Sequence, residues 1–476
     1  MRARGAAPLA AALLLILAAG SVRAADYAST DTALRAELVD AYTELGAWCV
    51  KKHLFLARDE LATVILSLQP DHKKARGWLK YRKGKDGTWT RREPHKPPSN
   101  RKPKNLPAFH TQRDAILAGL RPRVLAAIRD ADPALSQQAR MDAVDSWRPI
   151  LGDDEALQAL ADRVQHEGRW RATGTVRSLK RRAAIQAAAK AALAARPKIE
   201  TRTLPDAAGT VPLAWKPGRG TKRVAAFGTV SVDMLDSCIR LAHATEQLMA
   251  TQFGGTFETR DYFAFYIMRG REDFRAVVDN HPTVQGDRKL LRELSGAYIG
   301  HGQFVDLMET QGGTLDSCIS VTTQHLLSLR YAEGRSGWMP GWVADGFSLY
   351  NMTWLTGTHL SFTVDFGRYG QDPLFKSLFS SKTNWFAEAR KLMLSDDPAT
   401  LRLTLGLKIG RMGPRDFLAA YAFVAWLHEA RTQTEVNALL GALAGGLDVD
   451  KAFAASLHMT VEDAEARLRY WLREAG

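Results

Sequence analysis

Residues 315–331 read Leu-Asp-Ser-Cys-Ile-Ser-Val-Thr-Thr-Gln-His-Leu-Leu-Ser-Leu-Arg-Tyr, and residues 338–347 read Trp-Met-Pro-Gly-Trp-Val-Ala-Asp-Gly-Phe. The first stretch predicts a helix from about Leu315 to Tyr331. The second follows a break in that pattern, and the chain beyond it reads as mostly helical to Trp471. A polar helix segment at Gln324 and His325, next to a Trp-rich stretch carrying Asp345, is the part of the chain that looks like chemistry.

Upstream the pattern changes character. Val232 to Phe253 predicts a helix closed by Gly254-Gly255. Tyr262-Phe263-Ala264-Phe265-Tyr266-Ile267-Met268 predicts a buried strand. Arg271 to Val278 predicts a short helix, and residues 296–308 predict further strands with Gly300 and Gly302 at a turn. The expectation is therefore α+β: a small sheet, then a largely helical lobe.

This order resembles the catalytic domain of gluzincin metallopeptidases of the peptidase MA-like kind, over residues 224–476. Such domains place a small sheet before a helix bearing His-Glu-x-x-His. A second helix, beginning near Trp-x-x-Glu-Gly, supplies the third zinc ligand. Tyr421 to Leu427, Ala452-Phe453, Glu465 and Trp471 extend the resemblance. The chemistry behind the motif is specific. Two imidazoles at i and i+4 share a helix face and hold zinc. The Glu after the first His activates the metal-bound water.

The matching segment here is Gln324-His325-Leu326-Leu327-Ser328. Gln324 and Ser328 stand where the histidines belong, and His325 stands where the Glu belongs. If the register slides so that His325 is the first ligand, Leu326 replaces the base and Leu329 the second His. Trp342-Val343-Ala344-Asp345-Gly346 keeps the shape of the third-ligand motif, with Asp345 for Glu. The resemblance thus implies a pseudopeptidase without catalytic residues or cofactor, whose cleft binds a protein or peptide. Thr323, Gln324, His325, Ser328, Trp342 and Asp345 are the expected cleft residues. His325 and Asp345 are the only metal-ligand candidates among them. Two other readings stay open. An active zinc peptidase would recruit donors such as His243, His301 or His359. A serine hydrolase would combine Ser328, His325 and Asp345, although no Gly-x-Ser-x-Gly elbow surrounds Ser328.

The N-terminal part is expected to be all-α. Leu34, Leu38, Ala41, Tyr42, Leu45 and Trp48 have helical spacing, as do Leu56, Leu61, Val64, Ile65 and Leu68. The break falls near Lys51-Lys52-His53, and Pro70 closes the second helix. This pair resembles a tetratricopeptide unit, with Leu45-Gly46, Ala57 and Pro70 at the matching places. It serves either as a partner-binding scaffold beside an inert C-terminal domain or as an ordinary packed hairpin. Gly87-Thr88-Trp89 is loosely echoed by Gly168-Arg169-Trp170 after Ile150-Leu151-Gly152-Asp153. Residues 40–92, with Trp48-Cys49 and Pro70-Asp71-His72, also resemble a segment of exported bacterial proteins of unknown function. The expected layout is a signal peptide at 1–24, the helix pair with its Gly-x-Trp segment at 25–92, and a basic Pro-rich linker at 93–111. A helical region at 112–200 and an irregular linker at 201–223 precede the C-terminal domain.

Arg2 and Arg4, an uncharged Ala/Leu-rich run from Gly5 to Gly20, and Val22-Arg23-Ala24 predict a cleavable export signal. The expected location is the periplasm, envelope or medium. The formal charge of +14 is concentrated. Residues 72–104 hold thirteen Lys or Arg against Asp86 and Glu93. That segment suits anionic envelope components as partners, and export argues against nucleic acid. No later stretch predicts a membrane span. There are three cysteines. Cys238 and Cys318 lie in matching Leu-Asp-Ser-Cys-Ile segments and are a candidate disulfide, with buried free thiols the alternative.

Overall fold

The computed structural model describes residues 7–91, 99–131, 137–257, 263–300, 302–333, 338–361 and 366–474. The chain divides into two compact units, Met1–Thr173 and Gly174–Gly476.

In the first unit, α1 (Ala7–Lys51) and α2 (Phe55–Leu68) form the expected antiparallel pair. The break lies where Lys51-Lys52-His53 predicted it, with His53 left-handed at φ +59°. Helix α1 runs unbroken through Ala24, so its backbone does not mark the expected cleavage site. A short helix α3 (Lys73–Trp78) follows, then a hairpin of β1 (Tyr81–Lys83) and β2 (Trp89–Arg91). The same succession then recurs as α4 (Leu106–Asp130), α5 (Gln137–Leu151), α6 (Glu155–Leu160), β3 (Arg163–His166) and β4 (Arg169–Ala172).

As far as the first strand of each hairpin the two successions share one register, 82 residues apart; past the turn, Trp89 and Trp170 are 81 apart. His72 accepts from the Ala75 N–H at the start of α3, and Asp154 accepts from the Leu157 N–H at the start of α6. Lys80 and Asp162, also 82 apart, both take the left-handed conformation at φ +61° and +54°. Leu38, Tyr42, Leu61, Ala62 and Ile65 are buried, and so are Leu120, Val124, Ala143, Val144 and Trp147 at the equivalent positions. The unit is a duplication whose core pattern survives changes of side chain. Helices α1 and α4 pack together and join the copies. A helix pair needs such a neighbour to cover its apolar face.

Four expectations are corrected here. The N-terminal part expected to be all-α carries two β-hairpins, β1–β2 and β3–β4. The linker expected at 93–111 ends early: α4 starts at Leu106, because Pro107 in its first turn needs no backbone partner. The first part of that linker, 92–98, lies outside the described residues. The region expected to be helical over 112–200 contains the β3–β4 hairpin, turned by Glu167 and Gly168 at φ +51° and +73°. The residues expected to be an irregular linker, 201–223, contribute to two strands of a sheet, one at its edge and one beside it.

The second unit opens with α7 (Thr173–Ala194), β5 (Glu200–Arg202), α8 (Asp206–Gly209), β6 (Gly218–Gly220) and β7 (Val224–Gly228). Helix α9 (Val232–Phe253), β8 (Phe263–Met268), α10 (Arg271–Asn280), α11 (Arg288–Leu291), β9 (Gly296–Gly300) and β10 (Gln303–Leu307) follow. These make one mixed six-stranded sheet, ordered β5-β6-β7-β8-β10-β9, with β7, β8 and β10 parallel. Every residue of β7 and β8 is buried, as the continuous apolar runs of a sheet covered on both faces require. Gly228 is needed in that pairing, since a Cβ there would lie 2.1 Å from the Ile267 carbonyl oxygen.

Helix α9 is capped by Ser231 and stopped by Gly254 at φ +67°, within the predicted bounds. It packs beside α12 (Gln311–Ala332), and α12 packs on α13 (Gly341–Leu355). The helical lobe is completed by α14 (Phe366–Tyr369), α15 (Pro373–Leu378), α16 (Trp385–Met393), α17 (Leu401–Leu405), α18 (Pro414–Ala430), α19 (Gln433–Ala444), α20 (Val449–Leu457) and α21 (Val461–Glu474). Helix α18 is buried from Phe417 to Glu429 on all sides, so it is the axis of that lobe. Among the described residues no helix is long and apolar enough to cross a membrane.

Candidate functional site

Helices α12 and α13 bring the six expected site residues into one region of the second unit, and most of them are packed away. Thr323, Trp342 and Asp345 are fully buried and His325 is nearly so; Gln324 and Ser328 are half-buried. Each is held by its surroundings. The Thr323 hydroxyl accepts from Asn351 Nδ2 at 2.9 Å, and Asn351 Oδ1 accepts from Gln252 Nε2 at 2.8 Å. Thr323 is thus one link in a buried chain joining α12, α13 and α9. Gln324 donates along its own helix to Ser320 Oγ at 3.2 Å. The His325 imidazole lies flat on Phe263 of β8, with centroids 4.4 Å apart and planes at 16°.

The Trp-x-x-Asp-Gly segment separates packing from chemistry. Trp342 presents its ring to the edge of Phe423 at 5.2 Å. A Cβ on Gly346 would stand 3.0 Å from Val424 Cγ2 and 3.1 Å from the Ala420 carbonyl oxygen, so Gly346 is what lets α13 approach α18. These two residues serve the fold. Asp345, between them, is the only carboxylate of α13.

These donors do not fit a catalytic zinc ion of the gluzincin type. The helix segment offers one imidazole, and that imidazole is stacked on a core phenylalanine. In a third register, with His325 as the second ligand, Val321 takes the place of the first histidine and Thr322 that of the base. Val321 has no donor atom. Among the described residues no group of three His, Cys, Asp or Glu side chains converges to hold a metal. His243 stands on α9 beside Glu246, at 3.6 Å. His359 follows α13, bonded to Thr353 Oγ1 at 2.8 Å and stacked on Trp385; burial pushes its pKa down to about 3. His301 lies outside the described residues. Ser328 stands near the C-terminal end of α12, where its carbonyl accepts the N–H of Glu333.

Two clusters of buried titratable groups escaped the sequence reading. On β10, Asp306 accepts from Thr314 Oγ1 and Ser317 Oγ, both at 2.8 Å, and its pKa is raised to about 7, chiefly by burial. Asp316, one turn along α12, accepts from Thr356 Oγ1 at 2.6 Å, Thr358 Oγ1 and the Leu360 N–H at 2.7 Å. It anchors the segment leaving α13, and burial raises its pKa too. In the helical lobe, Glu429 pairs with Arg182 at 2.6 Å and accepts from the Tyr350 hydroxyl at 3.1 Å, while burial raises its pKa to about 7. Beside it His428 is enclosed by Phe253, Phe347 and Tyr350 and is pushed down to about 3 by burial. The run Thr314-Leu315-Asp316-Ser317 before Cys318 was a visible signal for the first cluster. No local signal joins Arg182 to Glu429, which are far apart in the chain.

Cys238 and Cys318 do meet. Both are fully buried in the core between the sheet and α9/α12, as neighbouring free thiols. Contact between them and with carboxylates nearby, added to burial, keeps the Cys318 thiol strongly protonated.

The first unit carries an open groove of about 350 Å³ between its two copies. Tyr42, Glu60 and Val64 line one side, and Phe109, Arg113 and Leu117 the other.

No protein-family model, no curated protein and no solved structure matches the chain.

Proposed function

We propose that the chain is an exported, non-catalytic relative of zinc peptidases, which binds a protein or peptide partner. The export reading rests on Arg2, Arg4, the apolar run that follows and the small residues before Ala25. The non-catalytic reading rests on one observation: the single imidazole of the degenerate motif, His325, is stacked on Phe263 in the core. The packing parts of the motif, Trp342 and Gly346, are kept, and the parts that would hold a metal are replaced. Retained architecture with replaced donors is what loss of catalysis leaves behind.

The test is proteolysis. Purified mature chain is incubated with unfolded protein substrates, with added zinc and with a chelator. The proposal expects no cleavage above background in either arm. Cleavage that zinc supports and the chelator abolishes would restore the reading as an active zinc peptidase.

A second reading, a scaffold of tetratricopeptide type, is favoured by the groove between the two copies of the first unit. Its walls combine aromatic and aliphatic faces with Glu60 and Arg113, which suits a short peptide. Val64→Asp, at the groove wall, would weaken partner capture under this reading and leave it unchanged if the second unit alone binds.

A further inference from the structure

The duplication supplies an internal control for charge. Both copies build the same short helix, the same left-handed residue and the same hairpin. Over residues 73–91 the first copy carries eight Lys or Arg and one acid, Asp86. Over the equivalent residues 155–172 the second carries Arg163, Arg169 and Arg171 against Glu155, Asp162 and Glu167. The fold therefore forms without the excess, and the positive charge of the first copy serves something else. Lys74, Lys80, Arg82, Lys83, Lys85 and Arg91 are exposed, and they make no ion pair among the described residues.

The hairpin leaves from the end of the helix pair that carries the α1–α2 turn. A Cβ on Gly46 would stand 2.4 Å from the Trp78 ring, and Arg58 donates to the Trp78 carbonyl at 3.3 Å. That turn adds Lys51 and Lys52, and the Arg101 N–H donates to the His53 carbonyl at 2.9 Å, which places Arg101 there as well. Among these cations stand two exposed aliphatic side chains, Val50 at 37% and Leu56 at 42%. The positions equivalent to Lys51, Lys52 and Leu56 are Pro133, Ala134 and Gln138. Both the charge and the exposed leucine thus belong to the first copy alone.

We propose that this end of the first copy docks on an anionic phospholipid bilayer. The cations meet the headgroups, with each Lys or Arg contributing through the surface potential. Leu56 and Val50 enter the boundary below them. The aliphatic pair favours a bilayer over a nucleic acid. The two tryptophans that bases would stack on are half-buried and each has one face engaged: Arg76 lies over Trp89 at 4.2 Å, and Trp78 packs on Gly46. The proposal is independent of the fate of the metal site in the second unit.

The test is co-sedimentation of the purified mature chain, residues 25–476, with vesicles of equal parts phosphatidylglycerol and phosphatidylcholine, and with phosphatidylcholine alone. The proposal expects binding to the first only, weakening as salt rises. Replacing Arg82, Lys83, Lys85 and Arg91 together by Gln should weaken it roughly tenfold or more. Arg169→Gln on the second hairpin should leave it unchanged. Leu56→Gln, which installs the residue of the second copy, should remove the part of the binding that persists at high salt. All replaced side chains are exposed, and circular dichroism checks that each variant folds. Absence of binding to the anionic vesicles would overturn the proposal, as would a fourfold variant that binds like the parent. A DNA oligonucleotide that binds more tightly than the vesicles, with Leu56→Gln indifferent, would assign the surface to nucleic acid instead.

Discussion

Asp306 shows how one buried side chain ties stability to pH. Its carboxyl is raised to about 7 in the folded chain, against about 3.9 when unfolded. The folded state therefore holds the proton more tightly. That contribution favours folding fully below about pH 4 and is lost as the pH rises through about 7. Asp306→Asn keeps an oxygen for Thr314 and Ser317 but cannot ionise. It should leave the melting temperature unchanged near pH 4 and raise it by several degrees at pH 8, an effect of at most about 4 kcal/mol. Thermal unfolding of variant and parent across that range checks this, and parallel curves would contradict it. His325 and Asp345 were legible in the sequence as the two donors of the motif-like stretch. Their burial was not legible, because it depends on Phe263 from a strand more than fifty residues away.

Among the elements, α13 and α18 set the tightest requirement. Gly346→Ala would push a methyl group against Val424 and the Ala420 carbonyl, at a cost of about 1–3 kcal/mol. Gly441→Ala, inside α19 with nothing within 4 Å of the new methyl, should stabilise by up to about 1 kcal/mol. Chemical denaturation of the two variants should move in opposite directions; matching shifts would contradict the packing account. Trp147, the counterpart of Ile65, is buried and donates from Nε1 to Asp31 Oδ1 at 2.7 Å. Trp147→Ala should cost about 3–5 kcal/mol in the first unit. The elements differed in legibility for physical reasons. Helices α9 and α12 were legible because long apolar periods end at strong stops such as Gly254. Strands β1 to β6 were not. They are three or four residues long, and β1 to β4 are rich in charge, while Gly218 and Gly220 hide β6 as a turn.

At the scale of the molecule, the second unit is α+β with a mixed sheet, as its sequence pattern implied. The first is a duplication that its sequence revealed only at the Gly-x-Trp echo. The repeat is conserved in burial rather than identity: Ile65 becomes Trp147 and Tyr42 becomes Val124 at the same depth. Side-chain identity is what a reading of the sequence compares, so the longer register stayed hidden. The two copies also show how a fold is kept while its surface is redirected. In the second unit, Trp342 and Gly346 serve packing, and the one imidazole of the neighbouring helix segment is stacked in the core.

The central claim, that α12 and α13 cannot hold a catalytic metal, is tested most directly by equilibrium dialysis of the purified mature chain against free zinc, read by elemental analysis. The account predicts far less than one equivalent retained at submicromolar free zinc, with no difference in a His325→Phe variant. One equivalent held tightly, and lost in that variant, would contradict it.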